Sequence, residues 1–126
     1  MAEKTAAPDL FAGINRPKDP NNLTELEKKH IPVITAPDKV KPGECFEVVV
    51  EVGKLLAHPN ENAHFIEFIE LYAGHVYLAR MDFTACATCP VMKVCVSLGK
   101  DLGPLRVFER CNLHGVWEAD KPITVG

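Results

Sequence analysis

The chain lacks three features, and each absence excludes a class of protein. No apolar run approaches the roughly 20 residues that a membrane-spanning helix needs. No basic cluster is present, and the net charge of -3 at pH 7 disfavours nucleic acid as the main partner. The first residues lack the apolar segment of a secretory signal. We therefore expect a cytoplasmic protein that binds neither a membrane nor nucleic acid.

Cysteine is scarce, and its number is odd. The chain has five cysteines, so at least one has no disulfide partner within the chain. In a reducing compartment, cysteines are more often free thiols or metal ligands than disulfides. The sequence therefore directs attention to thiol and metal chemistry at Cys45, Cys86, Cys89, Cys95 and Cys111.

Short apolar segments between turn signals predict a β-rich fold. In residues 46–52 every second side chain is apolar, which is typical of a half-buried strand. Residues 65–72 are almost continuously apolar, but Glu67 and Glu70 share no strand face. About seven short strands predict an all-β, immunoglobulin-like antiparallel β-sandwich. The candidate strands are residues 46–52, 65–72, 77–83, 92–98, 105–110 and 123–125.

The region before these strands is organised differently. Residues 1–20 contain three prolines and little periodicity, so we expect an irregular N-terminal arm, with residues 21–126 as a single domain. Asn22 followed by Glu25 resembles a capping box and predicts a short helix over residues 23–29. The helix must end by Ile31, because a residue before proline disfavours helical geometry.

A Cys-x2-His pair, Cys111 and His114, can bring a thiolate and an imidazole to one metal ion. His58 and His64 flank a Pro59 loop, and His30 lies at the predicted helix-to-strand junction. One such histidine alone would more often be an ordinary surface or core residue. Four of them beside a Cys-x2-His pair favour a metal site for iron, copper or zinc rather than magnesium or calcium. No other candidate ligand accompanies His75 in its segment, and we interpret it as a turn residue.

Three interpretations of these five residues can be weighed from the sequence alone. A cupredoxin-like electron carrier is also a β-sandwich, but blue copper uses two histidines and a cysteine with a weak methionine, and no methionine follows Cys111. A structural zinc site takes four ligands and would leave one idle. A binding module without enzymatic activity would leave the clustered ligands unexplained.

Three segments resemble the superoxide reductase family, which includes neelaredoxin and the catalytic domain of desulfoferrodoxin. They are Glu27 to Ile34, the His58-Pro59-Asn60 motif with His64 six positions after His58, and Cys111 to Trp117. The resemblance covers about residues 20 to 120. It implies a mononuclear iron that cycles between Fe(2+) and Fe(3+), with one iron per chain.

The resemblance also implies the ligands and the reaction. His30, His58, His64 and His114 would be equatorial ligands and Cys111 the axial one, with a sixth position open to superoxide. Four neutral imidazoles and one thiolate leave one net positive charge at the ferrous site. One electron and two protons then convert superoxide into hydrogen peroxide, a detoxifying reaction in antioxidant defence.

Partners follow from the same resemblance. Two-iron relatives carry an N-terminal module with four cysteine ligands, and residues 1–40 of this chain contain no cysteine. We therefore expect the electron to come from outside, from a rubredoxin-like protein. We also expect a homo-oligomer, a tetramer in preference to a dimer.

The chain departs from the family pattern just before the first histidine. The family has Glu, Lys and His in succession, with the Lys attracting the anion and the Glu able to occupy the open iron position. Here Lys29 matches the Lys, but Lys28 stands where the family has Glu, and Glu27 is one residue further away. Lys29 and Glu27 are our candidate catalytic residues, and Trp117 is a candidate packing partner of the ligands.

The Cys86-x2-Cys89 motif has no counterpart that we identify in the family. A single such motif is a weak signal. Ordinary thiols at a strand connection are the favoured interpretation. The alternatives are a redox-active pair, or a second metal site with Cys95 and Cys45.

Overall fold

The computed structural model describes residues 9–126 and contains one short helix and nine strands within them. Residues 1–8 of the predicted arm lie outside the described residues. No helix in the described part of the chain is long and apolar enough to cross a bilayer. The elements are α1 Glu25–His30, β1 Pro32–Thr35, β2 Lys39–Val40, β3 Cys45–Val52, β4 Ile66–Ala73, β5 Val76–Asp82, β6 Val91–Ser97, β7 Leu105–Cys111, β8 Gly115–Lys121 and β9 Thr124–Val125.

Two antiparallel sheets form the sandwich, as the sequence predicts. One sheet has the strand order β1-β3-β6, and the other has the order β5-β4-β7-β8. A small parallel pair, β2 with β9, accompanies them. The core between the sheets is built from the alternating residues of each strand, because every second side chain points inward. Val48 and Val50 of β3 are fully buried, as are Leu71 of β4 and Val107 of β7.

In a regular strand Glu67 and Glu70 would point to opposite faces, so one of them would enter the core. An irregularity in β4 prevents this. The pairing of β4 with β7 shifts register between Ile66 and Phe68, so one residue is left out of the alternation at Glu67. Glu67 then pairs with Arg110, and Glu70 pairs with Arg80, while Ile66, Ile69, Leu71 and Ala73 remain buried. A local bulge therefore lets both carboxylates leave the core.

The structure has more strands than the sequence pattern indicated. The strand predicted to follow His30 is β1, whereas β2 and β8 were not predicted, because β2 has only two residues and β8 follows the Cys-x2-His motif without a long alternating run. Pro32 is compatible with β1, because it is the first residue of an edge strand. β5 is also an edge strand, and its Tyr77 and Met81 are exposed.

The helix begins two residues later than predicted. Its capping box joins Thr24 and Glu27, not Asn22 and Glu25: the Thr24 hydroxyl accepts from the Glu27 N–H, and the Glu27 carboxylate accepts from the Thr24 N–H. The prediction of the capping pair was therefore wrong. The prediction that the helix ends by Ile31 is confirmed, because α1 ends at His30.

The described part of the arm, residues 9–20, packs along β8. The Asn15 N–H donates to the Val116 carbonyl at 2.8 Å, and the Glu118 N–H donates to the Asn15 carbonyl at 3.0 Å. Arg16 pairs with Glu118 and Asp120. These contacts hold the arm against the four-stranded sheet close to the segment that carries Cys111 and His114.

The strand register brings four connections to one end of the sandwich. Pro32, which directly follows α1 and Ile31, pairs with Val52 at the end of β3, where the loop to β4 begins. Ile66 at the start of β4 pairs with Cys111 at the end of β7. The end of α1, the β3–β4 loop and the β7–β8 turn therefore meet. The β5–β6 connection joins them, as described below.

Candidate metal centre

Helix α1 delivers His30, which is its last residue and is fully buried. The His30 Nδ1 lies 2.7 Å from the Leu26 carbonyl. Because a carbonyl only accepts, Nδ1 carries the proton and Nε2 presents a free lone pair. The Trp117 ring stacks on the His30 ring with centroids 5.2 Å apart. A backbone acceptor and an aromatic surface thus fix the orientation of this imidazole, as supporting groups do for metal-bound histidines.

The loop between β3 and β4 delivers His58 and His64. Gly53 opens the loop with a φ of +88°, and a β-carbon there would lie 2.9 Å from the backbone nitrogen of His58. Glycine therefore allows the chain to fold back at this point. The His58 Nδ1 donates to the Pro59 carbonyl at 2.6 Å, which leaves its Nε2 free. Backbone hydrogen bonds in both directions between Glu61 and His64 close the loop.

The turn between β7 and β8 delivers Cys111 and His114. Cys111 is fully buried at the end of β7, and the Trp117 Nε1 donates to the His114 carbonyl at 3.0 Å. Gly115 has a φ of +78°, and a side chain there would lie 2.1 Å from the Leu10 carbonyl. The close approach that the sequence suggested for Gly115 is therefore present, and the arm is what approaches.

Asn112 links the two ligand-bearing loops. Its Oδ1 accepts from the Phe65 N–H at 2.9 Å, and its Nδ2 donates to the Ala63 carbonyl at 3.0 Å. The backbone N–H of Asn112 also donates to the Phe65 carbonyl. His64 therefore lies between two residues that are held by the Cys111 turn. Sequence reasoning missed this role, although an asparagine between the two predicted ligands was the available signal.

The four imidazoles are arranged nearly in a square. Neighbouring ring centroids are 4.7 Å apart for His30 and His58, 4.6 Å for His58 and His64, 5.0 Å for His64 and His114, and 4.8 Å for His114 and His30. The His30 and His64 centroids are 6.4 Å apart, as expected for a diagonal. The Cys111 sulfur lies 3.4 Å from the His58 Nε2 and 3.7 Å from the His114 Nδ1. All five predicted ligands thus converge.

The donor atoms face one another in a way that suits a cation. The His30 Nε2 lies 3.2 Å from the His58 Nε2. Both nitrogens present a lone pair, because the Nδ1 of each ring carries the proton. The His64 Nε2 is buried and finds no hydrogen-bond partner among the described residues. Facing lone pairs and a buried unpaired acceptor are unfavourable without a positive charge between them. The residues present therefore fit a metal ion.

Burial keeps the imidazoles in the form that a metal requires. Desolvation lowers the pKa of His30 to about 4 and the pKa of His58 to about 4, and it also lowers the pKa of His114. These rings are neutral near pH 7, so no proton competes for the ligand nitrogen. Burial raises the pKa of the Cys111 thiol. A bound cation would reverse that effect, because a coordinating thiol loses its proton.

A buried carboxyl group lies two residues before Cys111. Glu109 points into the core from β7, and neither carboxyl oxygen has a hydrogen-bond partner among residues 9–126. Burial raises its pKa well above the ordinary value, because the ionised form would lose its solvation. Sequence reasoning missed Glu109, because the charged residue occupies an inward position of an otherwise alternating strand.

The two candidate catalytic residues lie in different surroundings. Lys29 is half-buried, and its positive charge contributes to lowering the pKa of His58 and His114, which places it close to the imidazoles. The Glu27 carboxylate accepts from the Thr24 N–H at 2.9 Å and from the Lys18 N–H at 3.1 Å. Glu27 also lines a cleft of about 260 Å³ beside the arm. Its hydrogen bonds are therefore directed to the arm and the helix start.

The other cysteines and the fifth histidine do not contribute a donor atom to this cluster. All five cysteines are free thiols, and Cys111 alone among them is buried. His75 lies in the turn between β4 and β5, as predicted. The four remaining thiols are exposed, at Cys45, Cys86, Cys89 and Cys95.

Comparison with known proteins supplies a relationship. Residues 22–120 match the family model described as desulfoferrodoxin. A relative from Methanocaldococcus jannaschii is 47% identical over 116 residues, which is 90% of this chain and 95% of that protein. The superoxide reductase of Pyrococcus furiosus is 35% identical, over 72% of this chain and 85% of that protein. The solved superoxide reductase (neelaredoxin) of Ignicoccus hospitalis is similar with a TM-score of 0.71 and 43% identity, over 77% of this chain and 81% of that one.

Proposed function

The chain belongs to the desulfoferrodoxin family and is a superoxide reductase, and we propose that it acts through one iron ion held by His30, His58, His64, His114 and Cys111. The observation that supports this ligand set is the near-square of imidazoles with the Cys111 sulfur beside two of them. Five donors exceed the four of a structural zinc site. Imidazole and thiolate together suit iron.

The residues around the site prepare it for an anionic substrate. When bound, iron supplies the single electron that reduces superoxide. The neutral imidazoles add no charge, and Lys29 adds a positive one at the same end of the sandwich. A local positive charge attracts an anion and raises its encounter rate. Two protons complete hydrogen peroxide, and we propose that solvent supplies them.

The fixed orientation of the ligands limits the rearrangement that electron transfer requires. The Leu26 and Pro59 carbonyls hold two imidazoles, and Asn112 joins the loops that carry Cys111 and His64. Supporting groups of this kind set ligand orientation and basicity. We propose that Lys29 attracts the substrate, and we retain Glu27 as a candidate whose carboxylate is hydrogen-bonded to the helix start and the arm.

Three further parts of the proposal concern the surroundings of the protein. We propose a rubredoxin-like electron donor, because the described residues hold no second cluster of three or more metal ligands that could supply electrons from within the chain. We propose a cytoplasmic location, which the free state of all five thiols supports. We propose a homo-oligomer, with a tetramer favoured over a dimer.

The cupredoxin-like alternative has lost its support. It required two histidines and one cysteine, and the site brings together four histidines and one cysteine. The family relationship also points to superoxide reductases rather than electron carriers.

Replacement of Cys111 by serine tests the metal assignment. We expect Cys111→Ser to lose the visible thiolate-to-ferric charge-transfer band and most superoxide reduction, because an alcohol is a far poorer electron donor to ferric iron than a thiolate. Metal analysis measures the iron content, and absorption spectroscopy of the oxidised protein measures the charge-transfer band. A superoxide consumption assay measures the activity. Cys45→Ser is the matched control, because it removes an exposed thiol at the start of β3. A Cys111→Ser protein that kept both band and activity would refute the assignment.

A further inference from the structure

The Cys86-x2-Cys89 motif lies at the same end of the sandwich as the metal ligands. It connects β5 with β6. Asp82 at the end of β5 pairs with Phe68 of β4, and Val91 at the start of β6 pairs with Glu51 of β3. These are the strand ends from which the loop with His58 and His64 departs. The position of the motif is therefore a consequence of strand register.

The motif is attached directly to the loop that carries two of the ligands. The Asn60 Oδ1 accepts from the Cys86 N–H at 2.8 Å, and the Asn60 Nδ2 donates to the Thr88 carbonyl at 3.1 Å. The Cys86 thiol donates to the Asn62 Oδ1 at 3.7 Å. Asn60 and Asn62 lie between His58 and His64 in the chain, so the motif is hydrogen-bonded to the loop that carries two of the candidate ligands.

The turn itself presents the two sulfurs to solvent. Cys86 and Cys89 are both exposed free thiols. Cys86 has a φ of 68°, which is uncommon for a residue other than glycine. The Thr88 hydroxyl accepts from the Thr84 N–H and donates to the Thr84 carbonyl, so the turn is closed by its own side chain. The turn runs from Thr84 to Thr88, and Cys89 follows it directly, so only two residues separate the sulfurs, which is the spacing of Cys-x-x-Cys redox motifs.

We propose that Cys86 and Cys89 form a redox pair that is oxidised by the hydrogen peroxide released at the metal site. One sulfur attacks a peroxide oxygen, the O–O bond breaks, and the distal oxygen leaves as water while the sulfur becomes a sulfenic acid. The second thiol attacks that sulfur, the S–O bond breaks, and a second water leaves. Overall, two thiols and one hydrogen peroxide become one disulfide and two waters. A dithiol reductant restores the pair by exchange.

The other two exposed thiols provide an internal comparison. Cys45 and Cys95 lie on the outer face of neighbouring strands, where Cys45 pairs with Ser97 and Cys95 pairs with Glu47. They are therefore diagonal neighbours, whose α-carbons are about 7–8 Å apart. That separation exceeds the range that a disulfide spans without backbone movement. Cys45 and Cys95 are exposed, as Cys86 and Cys89 are, but they are too far apart for a disulfide, so they serve as the control pair.

The source of the peroxide rests on the proposed function, so the first experiment supplies hydrogen peroxide directly. The ferric, iron-loaded protein is reduced at its thiols with dithiothreitol, freed of reductant, exposed to equimolar hydrogen peroxide and then alkylated. We expect peptide mass spectrometry to show a Cys86–Cys89 disulfide, with Cys45 and Cys95 alkylated. The Cys45→Ser/Cys95→Ser variant should form the same disulfide. Equal oxidation of all four thiols, or only disulfides between chains, would overturn the proposal.

Single variants test the sequence of steps. In Cys89→Ser or Cys86→Ser the remaining thiol has no partner, so its sulfenic acid should accumulate and be trapped by dimedone in at least one of the two variants. The Cys86→Ser/Cys89→Ser variant should consume peroxide more slowly at its remaining thiols. Absence of a trapped adduct in both single variants would contradict the mechanism.

A second experiment separates this proposal from the proposed function. Cys111→Ser should still form the Cys86–Cys89 disulfide with added peroxide, because the pair does not need the metal. Under a superoxide flux with catalase absent, the disulfide should form faster in the unmodified protein than in Cys111→Ser. Disulfide with added peroxide but no difference under superoxide would refute the peroxide source and leave the redox pair intact.

Discussion

At the scale of single residues, two neighbouring lysines differ in their relation to the metal site. Lys29 is half-buried and influences the pKa of His58 and His114, whereas Lys28 is exposed in the last helical turn. A charge near an anion's binding position raises the encounter rate, and salt screens the effect. Lys28 and Lys29 also both lie where the helix dipole favours cations. A kinetic measurement can separate the two contributions.

We predict that Lys29→Ala lowers the second-order rate of superoxide reduction at low salt by roughly tenfold. The rate should also depend less on ionic strength, because part of the attraction has been removed. Pulse radiolysis across a salt series measures both quantities. Lys28→Ala is the control and should change the rate less. An unaltered rate and salt slope in Lys29→Ala would exclude electrostatic attraction by this residue.

At the scale of elements, helix α1 connects the arm with the first ligand. Glu27 caps the helix start and binds the Lys18 N–H of the arm, and His30 ends the same helix three residues later. The hydrogen bond from the Thr24 N–H is the main reason why the pKa of Glu27 is lowered. A lowered pKa means that folding favours the ionised carboxylate. Its stabilising contribution is therefore present above about pH 4.5 and is lost as the pH falls through the folded value.

We predict that Glu27→Gln lowers the free energy of unfolding at pH 7 by about 1–2 kcal/mol, since the charge is lost and one amide oxygen replaces the two acceptors that bind the Thr24 and Lys18 N–H groups. The difference from the unmodified protein should disappear at low pH, because both carry an uncharged side chain there. Denaturant titrations across pH measure it. Glu25→Gln, an exposed first-turn variant, is the control.

The Glu27→Gln variant also tests whether Glu27 reaches the metal. An unchanged ferric absorption spectrum through a pH titration would mean that Glu27 acts through the helix cap alone. A substantial shift of the band or of its alkaline transition would assign it a ligand role, and it would require the local chain to rearrange. A difference in unfolding free energy that did not decrease as the carboxylate was protonated would contradict the capping interpretation.

At the scale of the whole molecule, the metal centre joins parts of the chain that are far apart in sequence. Its candidate ligands come from α1, the β3–β4 loop and the β7–β8 turn. Facing lone pairs there oppose close packing in the absence of a cation. A bound metal therefore stabilises the folded state by an amount that grows with the logarithm of the free metal concentration above its dissociation constant.

We predict that removal of the metal by a chelator lowers the midpoint of thermal unfolding. The loss corresponds to about 2.7 kcal/mol where the free metal had been at 100 times its dissociation constant. Differential scanning calorimetry with and without chelator measures it. The Cys95→Ser control should respond as the unmodified protein does, and Cys111→Ser should respond less. Equal unfolding midpoints with and without chelator would show that metal binding does not stabilise the fold.

The sequence by itself determined the β-rich sandwich and the candidate ligands. Alternation in residues 46–52 and 92–98 is a local property, and burial in the structure follows it. The Cys-x2-His spacing of Cys111 and His114 and the proline loop after His58 are also local signals, because a short turn or loop needs no distant partner to form.

Only the tertiary structure decided how these local signals combine. The bulge at Glu67, the link from Asn112 to the His64 loop and the link from Asn60 to Cys86 all depend on which strands pair and in which register. The capping role of Glu27 depended on one helix start being chosen over another two residues away. Pairing between residues distant in sequence is not encoded in any short segment, and it set the positions of the groups that surround the metal centre.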